Sequence, residues 1–295
     1  MPPEIEKSES EKRFSITEIK QGQRATMEDT LAVEEPMEIR VVFGPTEKRT
    51  GRSLAITMRT PDHDFELAAG FLFCENIISS PTDIKKMELV GPIAEGREKP
   101  NIVRVELDEK IDLRMQDLQR HFYTTSSCGI CGKGSLDALD AMSLRPVESN
   151  VKISADIIHT LPGLLRTGQE VFQNTGGIHA AGLFDTDGQM LCLREDVGRH
   201  NAFDKLIGHQ LLASKMPDSE LPSTDLVAVL SGRASFELLQ KTLSASFPIL
   251  VAVGAPSSLA VELALRFGVT LIGFTSKDRF NIYSCLLYTS PSPRD

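Results

Sequence analysis

Cysteine is scarce in this chain: five in 295 residues (Cys74, Cys128, Cys131, Cys192 and Cys285). That is too few to staple a fold of this length, so a disulfide scaffold is excluded. The expected compartment is a reducing cytoplasm, where two close cysteines signal metal or redox chemistry. Long apolar runs are missing too. The longest, such as 248–253, are broken by Gly, Ser or a charge far short of the ~18–20 residues of a membrane span, so no membrane association is expected. Positive charge is in deficit, with 32 Lys and Arg against 41 Asp and Glu and a formal balance of −9 at pH 7. Sequence-independent binding to a nucleic acid polymer needs a net basic surface and is excluded. A local basic pocket for one anionic ligand stays open. Residues 1–13 are rich in Pro, Glu, Lys and Ser and lack the apolar h-region of a secretory signal.

With 41% hydrophobic residues and 25% charged ones, the chain has ample material for a core. Its length suggests one large or two modest domains. Residues 1–25 are polar and expected to be loose. Residues 26–120 read as a small α+β module: strands at 37–43, 53–58 and 101–107, and a helix at 64–76 with Asp64 as its N-cap. Residues 121–284 read as an α/β domain. Helices are expected at 135–142, 155–166 and 201–214, with a strand and turn at 178–193. The last part is clearest. Apolar strands at 225–230, 248–253 and 269–274 alternate with amphipathic helices at 235–246 and 257–267. That is βαβαβ, hence a parallel sheet covered on both faces, with ligands expected at the carboxyl ends of its strands. Residues 285–295 do not continue this pattern and are set aside as an anomalous tail, a processing or assembly scar.

The most informative segment is Thr-Thr-Ser-Ser-Cys-Gly-Ile-Cys-Gly-Lys-Gly at 124–134. Cys128 and Cys131 stand two residues apart among three glycines that permit unusual backbone angles. Lys133 places a cation beside both thiols, and a helix starting near Ser135 would point its positive end at them. Both effects favour thiolate. A thiolate on such a loop can accept and deliver a sulfur atom. Three other chemistries share the Cys-x-x-Cys pattern. Structural zinc wants two further ligands, and Cys74, Cys192, His179 and His200 are scattered. A thioredoxin-type exchanger wants a preceding buried strand and a Gly-Pro between the cysteines. A zinc deaminase wants His-x-Glu and Pro-Cys-x-x-Cys; no histidine here is followed two positions on by Glu, and no Pro precedes Cys128.

Three further segments carry polar groups in suggestive settings. Thr-Gly-Gly-Ile-His-Ala-Ala-Gly at 175–182 sets His179 after two glycines, a sign of close backbone approach. Residues 194–205 crowd Arg194, Glu195, Asp196, Arg199, His200, Asp204 and Lys205 into one loop and helix start, which reads equally as a site or as scaffold. Ser231, Gly232 and Arg233 follow a buried strand and precede a helix, a natural phosphate cradle without the Walker ending. Residues 254–258 repeat that geometry, and 275–279 add Lys277 and Arg279. One sheet edge thus gathers small residues and cations suited to an anionic, nucleotide-like ligand.

Together, residues 126–133, 175–181, 195–205 and 230–233 closely resemble the FdhD family of sulfur carrier proteins needed for formate dehydrogenase activity. The resemblance extends to 66–72 and 274–284, and so covers about residues 30–284. It implies a cytidine-deaminase-like layered α/β domain with a βαβαβ C-terminal part and a smaller α+β N-terminal module. It also implies a route: a cysteine desulfurase hands persulfide sulfur to the cysteine loop, which passes it to Mo-bis(molybdopterin guanine dinucleotide) before that cofactor enters formate dehydrogenase. Cys128 falls where the family places its persulfide carrier, with Cys131 as helper. The family's cofactor-contacting stretch falls on Phe274, Thr275, Ser276, Lys277, Asp278 and Arg279. A homodimer is expected, as is common among such folds. The rival expectation is a chaperone that shelters cofactor or apo-enzyme, with a structural cysteine pair.

Overall fold

The computed structural model describes residues 9–93, 97–111, 113, 145–213 and 225–285. Cys128, Cys131, Lys133, the helix expected at 135–142 and all of the tail after Cys285 lie outside the described residues. No helix among those described is long and apolar enough to cross a membrane.

The described residues open with a hairpin, where residues 1–25 were expected to be loose. Strand β1 (Glu11–Lys20) pairs antiparallel with β2 (Gln23–Ala32) along its whole length, across the boundary drawn at residue 25. Gln21 and Gly22 turn the chain with φ of 52° and 81°. Positive φ at both positions matches the twist of paired strands. Gln-Gly is a weak signal for that turn, and the strands are too polar to announce themselves.

A four-stranded sheet follows, in the order β4-β3-β6-β5: β3 (Glu35–Phe43), β4 (Thr50–Arg59), β5 (Ile84–Val90) and β6 (Ile102–Leu107). Its alternating residues Met37, Ile39, Val41, Val103 and Val105 are buried beneath α1 (Asp64–Cys74). Asp64 is not the N-cap expected from the sequence. His63 holds that position at φ 60° without a capping bond, while the Asp64 carboxylate accepts from Arg59 Nε and Nη2, both at 2.8 Å. A buried guanidinium needs that partner more than the helix needs a cap.

The third sheet runs β12-β11-β10-β9-β7-β8. Its strands are β7 (His179–Phe184), β8 (Met190–Asp196), β9 (Val227–Leu230), β10 (Ile249–Ala252), β11 (Thr270–Gly273) and β12 (Asn281–Ser284). The expected parallel unit is present in β9, β10 and β11. The flanking strands β7, β8 and β12 join it antiparallel. Five helices accompany it: α2 (Ala155–Gly168), α3 (Glu170–Thr175), α4 (Arg199–Ala213), α5 (Phe236–Ser244) and α6 (Ser258–Phe267). Alternate residues of the strands serve opposite faces. Ala228, Leu230, Leu250 and Ala252 pack with α4, α5 and α6 in the core shared with the four-stranded sheet. Val227, Val229, Ile249 and Val251 pack under Ile158, Leu161 and Leu165 of α2. Burying such a side chain stabilises by about 1.5–3 kcal/mol, which is why these strands read as unbroken apolar runs.

Candidate functional site

The carboxyl ends of β9, β10 and β11 meet as expected, and backbone hydrogen bonds lace their loops together. Gly254 N donates to Gly232 O at 2.9 Å, Ala234 N to Ala255 O at 3.2 Å, and Phe274 N to Gly254 O at 3.0 Å. The small residues are what allow this. A Cβ on Gly254 would lie 3.1 Å from Gly232 O, and one on Gly273 would lie 2.9 Å from Pro256 Cδ. Ser235 and Ser257 close the loops by capping α5 and α6, accepting from Leu238 N at 3.4 Å and Ala260 N at 3.2 Å.

A cavity of about 610 Å³ opens beside these loops, lined among others by Arg166, Gln169, Gly177, His179, Ser231 and Val253. Gly176, left-handed at φ 69°, ends α3 and turns the chain into β7, which delivers His179 to the wall. Glu195 of β8 anchors α3 from below, its carboxylate accepting from Val171 N and Phe172 N at 2.9 Å each. Burial pushes the Glu195 pKa up, with those two bonds and nearby Gln169 opposing. Ser231 is tied into the sheet: its Oγ accepts from Ala180 N at 2.8 Å and its N donates to Ala180 O at 3.0 Å. Gly232 stands beside the imidazole, where an added Cβ would come into van der Waals contact with His179 Nδ1 at 3.4 Å.

Both histidines here are held neutral. Burial, then the Arg199 guanidinium, lowers the His179 pKa. Burial, then Arg199, Lys241 and His179, pushes His200 down to about 4. At neutral pH the 3.9 Å approach of His200 Nε2 to Glu237 is therefore no ion pair. Ser235 Oγ, at 3.4 Å, is the nearer polar neighbour. The polar segment 194–205 divides in two. Arg199 acts through its charge on His179 of the cavity wall. Asp196, Asp204 and Lys205 belong to the scaffold: Lys205 Nζ sits 2.8 Å from Asp196 Oδ2 with both buried, and Lys241 Nζ sits 2.6 Å from Asp204 Oδ1.

The remaining expected residues form a rim and do not line the cavity. Arg233, Ser276, Lys277, Asp278 and Arg279 are exposed. Arg279 lies with its guanidinium 5.7 Å from the centre of the Phe274 ring, and Phe274 takes φ 52° to enter the loop. Ser276 N donates to Arg279 O at 2.8 Å, making a tight turn. Thr275 is buried, and its Oγ1 has no hydrogen-bond partner among the described residues. Two contributors had no sequence signal. His159 of α2 stands with Nδ1 3.0 Å from Ser276 O and its ring 4.9 Å from that of Phe280. Gln169, between α2 and α3, is buried, and its Nε2 has no hydrogen-bond partner among the described residues. No group of three or more His, Cys, Asp or Glu side chains among the described residues is placed to hold a metal ion.

Fold and site define a mixed α/β protein of three sheets and six helices among the described residues, with a cavity of mixed apolar and polar lining and a cationic rim at its parallel strand ends. The chain belongs to the FdhD/NarQ family, whose model matches residues 32–286. The sulfur carrier protein FdhD of Nocardia farcinica is 48% identical over 259 residues, 87% of either chain. That of Mycolicibacterium paratuberculosis is 46% identical, over 92% of this chain and 96% of its own. The fold is that of a crystal structure described as a formate dehydrogenase accessory protein from Desulfotalea psychrophila. The two share 24% identity and a TM-score of 0.67, over 94% of this chain and 97% of that one.

Proposed function

We propose that this protein is a cytoplasmic sulfur carrier that serves formate dehydrogenase as a persulfide sulfurtransferase. Family membership across residues 32–286 carries the reading. In the first step the Cys128 thiolate attacks the outer sulfur of a persulfide on a cysteine desulfurase. The donor's S–S bond breaks, the donor leaves as thiolate, and Cys128 becomes the persulfide. In the second step the Cys131 thiolate attacks the inner sulfur of that persulfide. A Cys128–Cys131 disulfide forms, and the outer sulfur leaves with both electrons as sulfide for the metal. Lys133 favours the thiolate form throughout.

The receiving substrate is Mo-bis(molybdopterin guanine dinucleotide). The laced strand-end loops support a role in holding it. Ser231, Gly232 and Arg233, with Phe274, Thr275, Ser276, Lys277, Asp278 and Arg279, form an edge whose cations suit its phosphates, and the unpartnered Thr275 Oγ1 suits one of its polar groups. His179, uncharged and half-buried, is suited to accept a hydrogen bond without repelling the cationic rim. A cytidine-deaminase-like layering accords with helices on both faces of the six-stranded sheet.

Intact-mass analysis after incubation with desulfurase and cysteine tests the reading. The expected result is a gain of one sulfur atom, reversed by a thiol reductant and absent from Cys128→Ala. Bound zinc without sulfur uptake would point instead to a chaperone with a structural cysteine pair.

A further inference from the structure

One face of α2 serves both parts of the site. His159, Pro162 and Arg166 stand three and four residues apart and share that face. Pro162 and Arg166 line the cavity, whereas His159 meets the rim loop at 274–280. That loop is knotted about Ser276. Ser276 N donates to Arg279 O at 2.8 Å, and Ser276 Oγ donates to the same oxygen at 3.2 Å. The same Oγ accepts from Arg279 N at 3.2 Å and from Asp278 N at 3.4 Å. The Ser276 carbonyl is the group left for a partner outside the loop, and His159 Nδ1 meets it at 3.0 Å. A carbonyl can only accept, so this contact places a proton on Nδ1. The His159 ring also lies 4.9 Å from that of Phe280, tilted by 54°, and Phe280 packs on the apolar cluster beneath α2. His159 therefore grips the loop on both sides of the exposed run Lys277, Asp278 and Arg279. The loop also starts from a strained residue, Phe274 at φ 52°. A non-glycine residue keeps that conformation only where its surroundings hold it.

We propose that His159 is a positioning residue for anion binding. It pins the rim loop to the cavity-lining face of α2, so that Lys277 and Arg279 meet the substrate's phosphates on a backbone already ordered. This rests on the reading of the strand-end edge as the phosphate-holding part of the site. The physical basis is preorganisation. A loop that must be ordered on binding returns part of its electrostatic attraction as lost entropy, and a loop held beforehand keeps it. His159 acts through the loop backbone, since its Nδ1 is already committed to Ser276 O. The same helix face carries Arg166 to the cavity wall, so one rigid element sets the spacing between cavity and rim.

Calorimetric titration of the full chain with GDP and with guanosine tests this. His159→Phe keeps a ring against Phe280 and removes the donor. His159→Asn keeps a donor at the place of Nδ1 and removes the ring. The Phe variant is expected to bind GDP about three- to tenfold more weakly, the range set by one net hydrogen bond, and guanosine as well as the native chain does. The Asn variant recovers most of the GDP affinity. Amide exchange across 274–280 speeds up in the Phe variant, while its melting temperature stays native. Equal GDP affinity in the Phe variant and the native chain overturns the proposal. So does an equal loss for GDP and guanosine, because the effect then bypasses the phosphates. Equal weakness of the Phe and Asn variants overturns the role of the hydrogen bond. A native chain that binds no GDP overturns this proposal together with the phosphate-holding reading. Failure of sulfur uptake in a chain whose variants behave as expected overturns the carrier reading alone.

Discussion

Gly70 and Gly208 face one another where α1 crosses α4, and each occupies ground that the opposite backbone leaves to no other residue. A Cβ on Gly70 would lie 1.9 Å from Asp204 O, and one on Gly208 would lie 1.8 Å from Glu66 O. Both obstructing atoms are main-chain carbonyls, which cannot rotate away. This crossing joins the four-stranded sheet to the six-stranded one, so the separation of two helices sets the relation of the two halves. Gly70→Ala and Gly208→Ala are each expected to destabilise by about 3 kcal/mol or more, read as a lower urea midpoint. A loss below about 1 kcal/mol, within the range of a tolerated core change, would show that the helices separate freely.

Lys205 reinforces the same junction through charge. Its Nζ reaches Asp196 Oδ2 at 2.8 Å, Thr60 O at 2.8 Å and Glu195 O at 3.2 Å, all away from water. Removing one member of a buried pair strands the other. Lys205→Met is therefore expected to cost about 3–5 kcal/mol, while replacing both Lys205 and Asp196 with apolar residues costs less than the single change. Chemical denaturation of the three proteins checks that order.

His200 supplies a pH dependence whose sign follows from burial. Its pKa is about 4 in the fold, against about 6.5 for an ordinary histidine. Between those values the unfolded chain binds the extra proton, so this residue's stabilisation is complete above about pH 6.5 and is lost as pH falls towards 4. His200→Gln should flatten that part of the stability profile. A ring resonance of His200 that titrates near pH 6.5 in the folded protein would contradict the assignment.

The two buried cysteines, Cys74 and Cys192, should be sluggish. Burial pushes the Cys192 thiol up to about 11 and raises Cys74 well above the ordinary thiol range. Iodoacetamide at pH 7.5, followed by peptide mass spectrometry, should modify Cys128 and leave Cys74 and Cys192 intact until denaturant is added. Labelling of Cys192 ahead of Cys128 would contradict the thiolate assignment.

How far the fold could be read in advance varied with the kind of signal. The strands β9, β10 and β11 announce themselves because both faces are buried and no polar residue can interrupt them. The hairpin escaped because its strands face water and its turn relies on Gln21 in a conformation that glutamine rarely advertises. His179 and Ser231 were visible through the glycines beside them. His159 and Gln169 were not, because each becomes relevant only when α2 folds over the strand ends. The segment 194–205 was undecidable in one dimension. A charge cluster looks the same whether it meets ligand or protein, and only packing made Lys205 and Asp196 an internal pair.

Local chemistry alone therefore determined the βαβαβ pattern and the small, cationic loops at the strand ends, since each follows from side-chain type and short-range spacing. Tertiary structure decided which charges are buried, which histidines stay neutral and which loops are bonded to one another. Those outcomes depend on desolvation and on contacts between residues far apart in the chain, and neither quantity exists until the chain has folded.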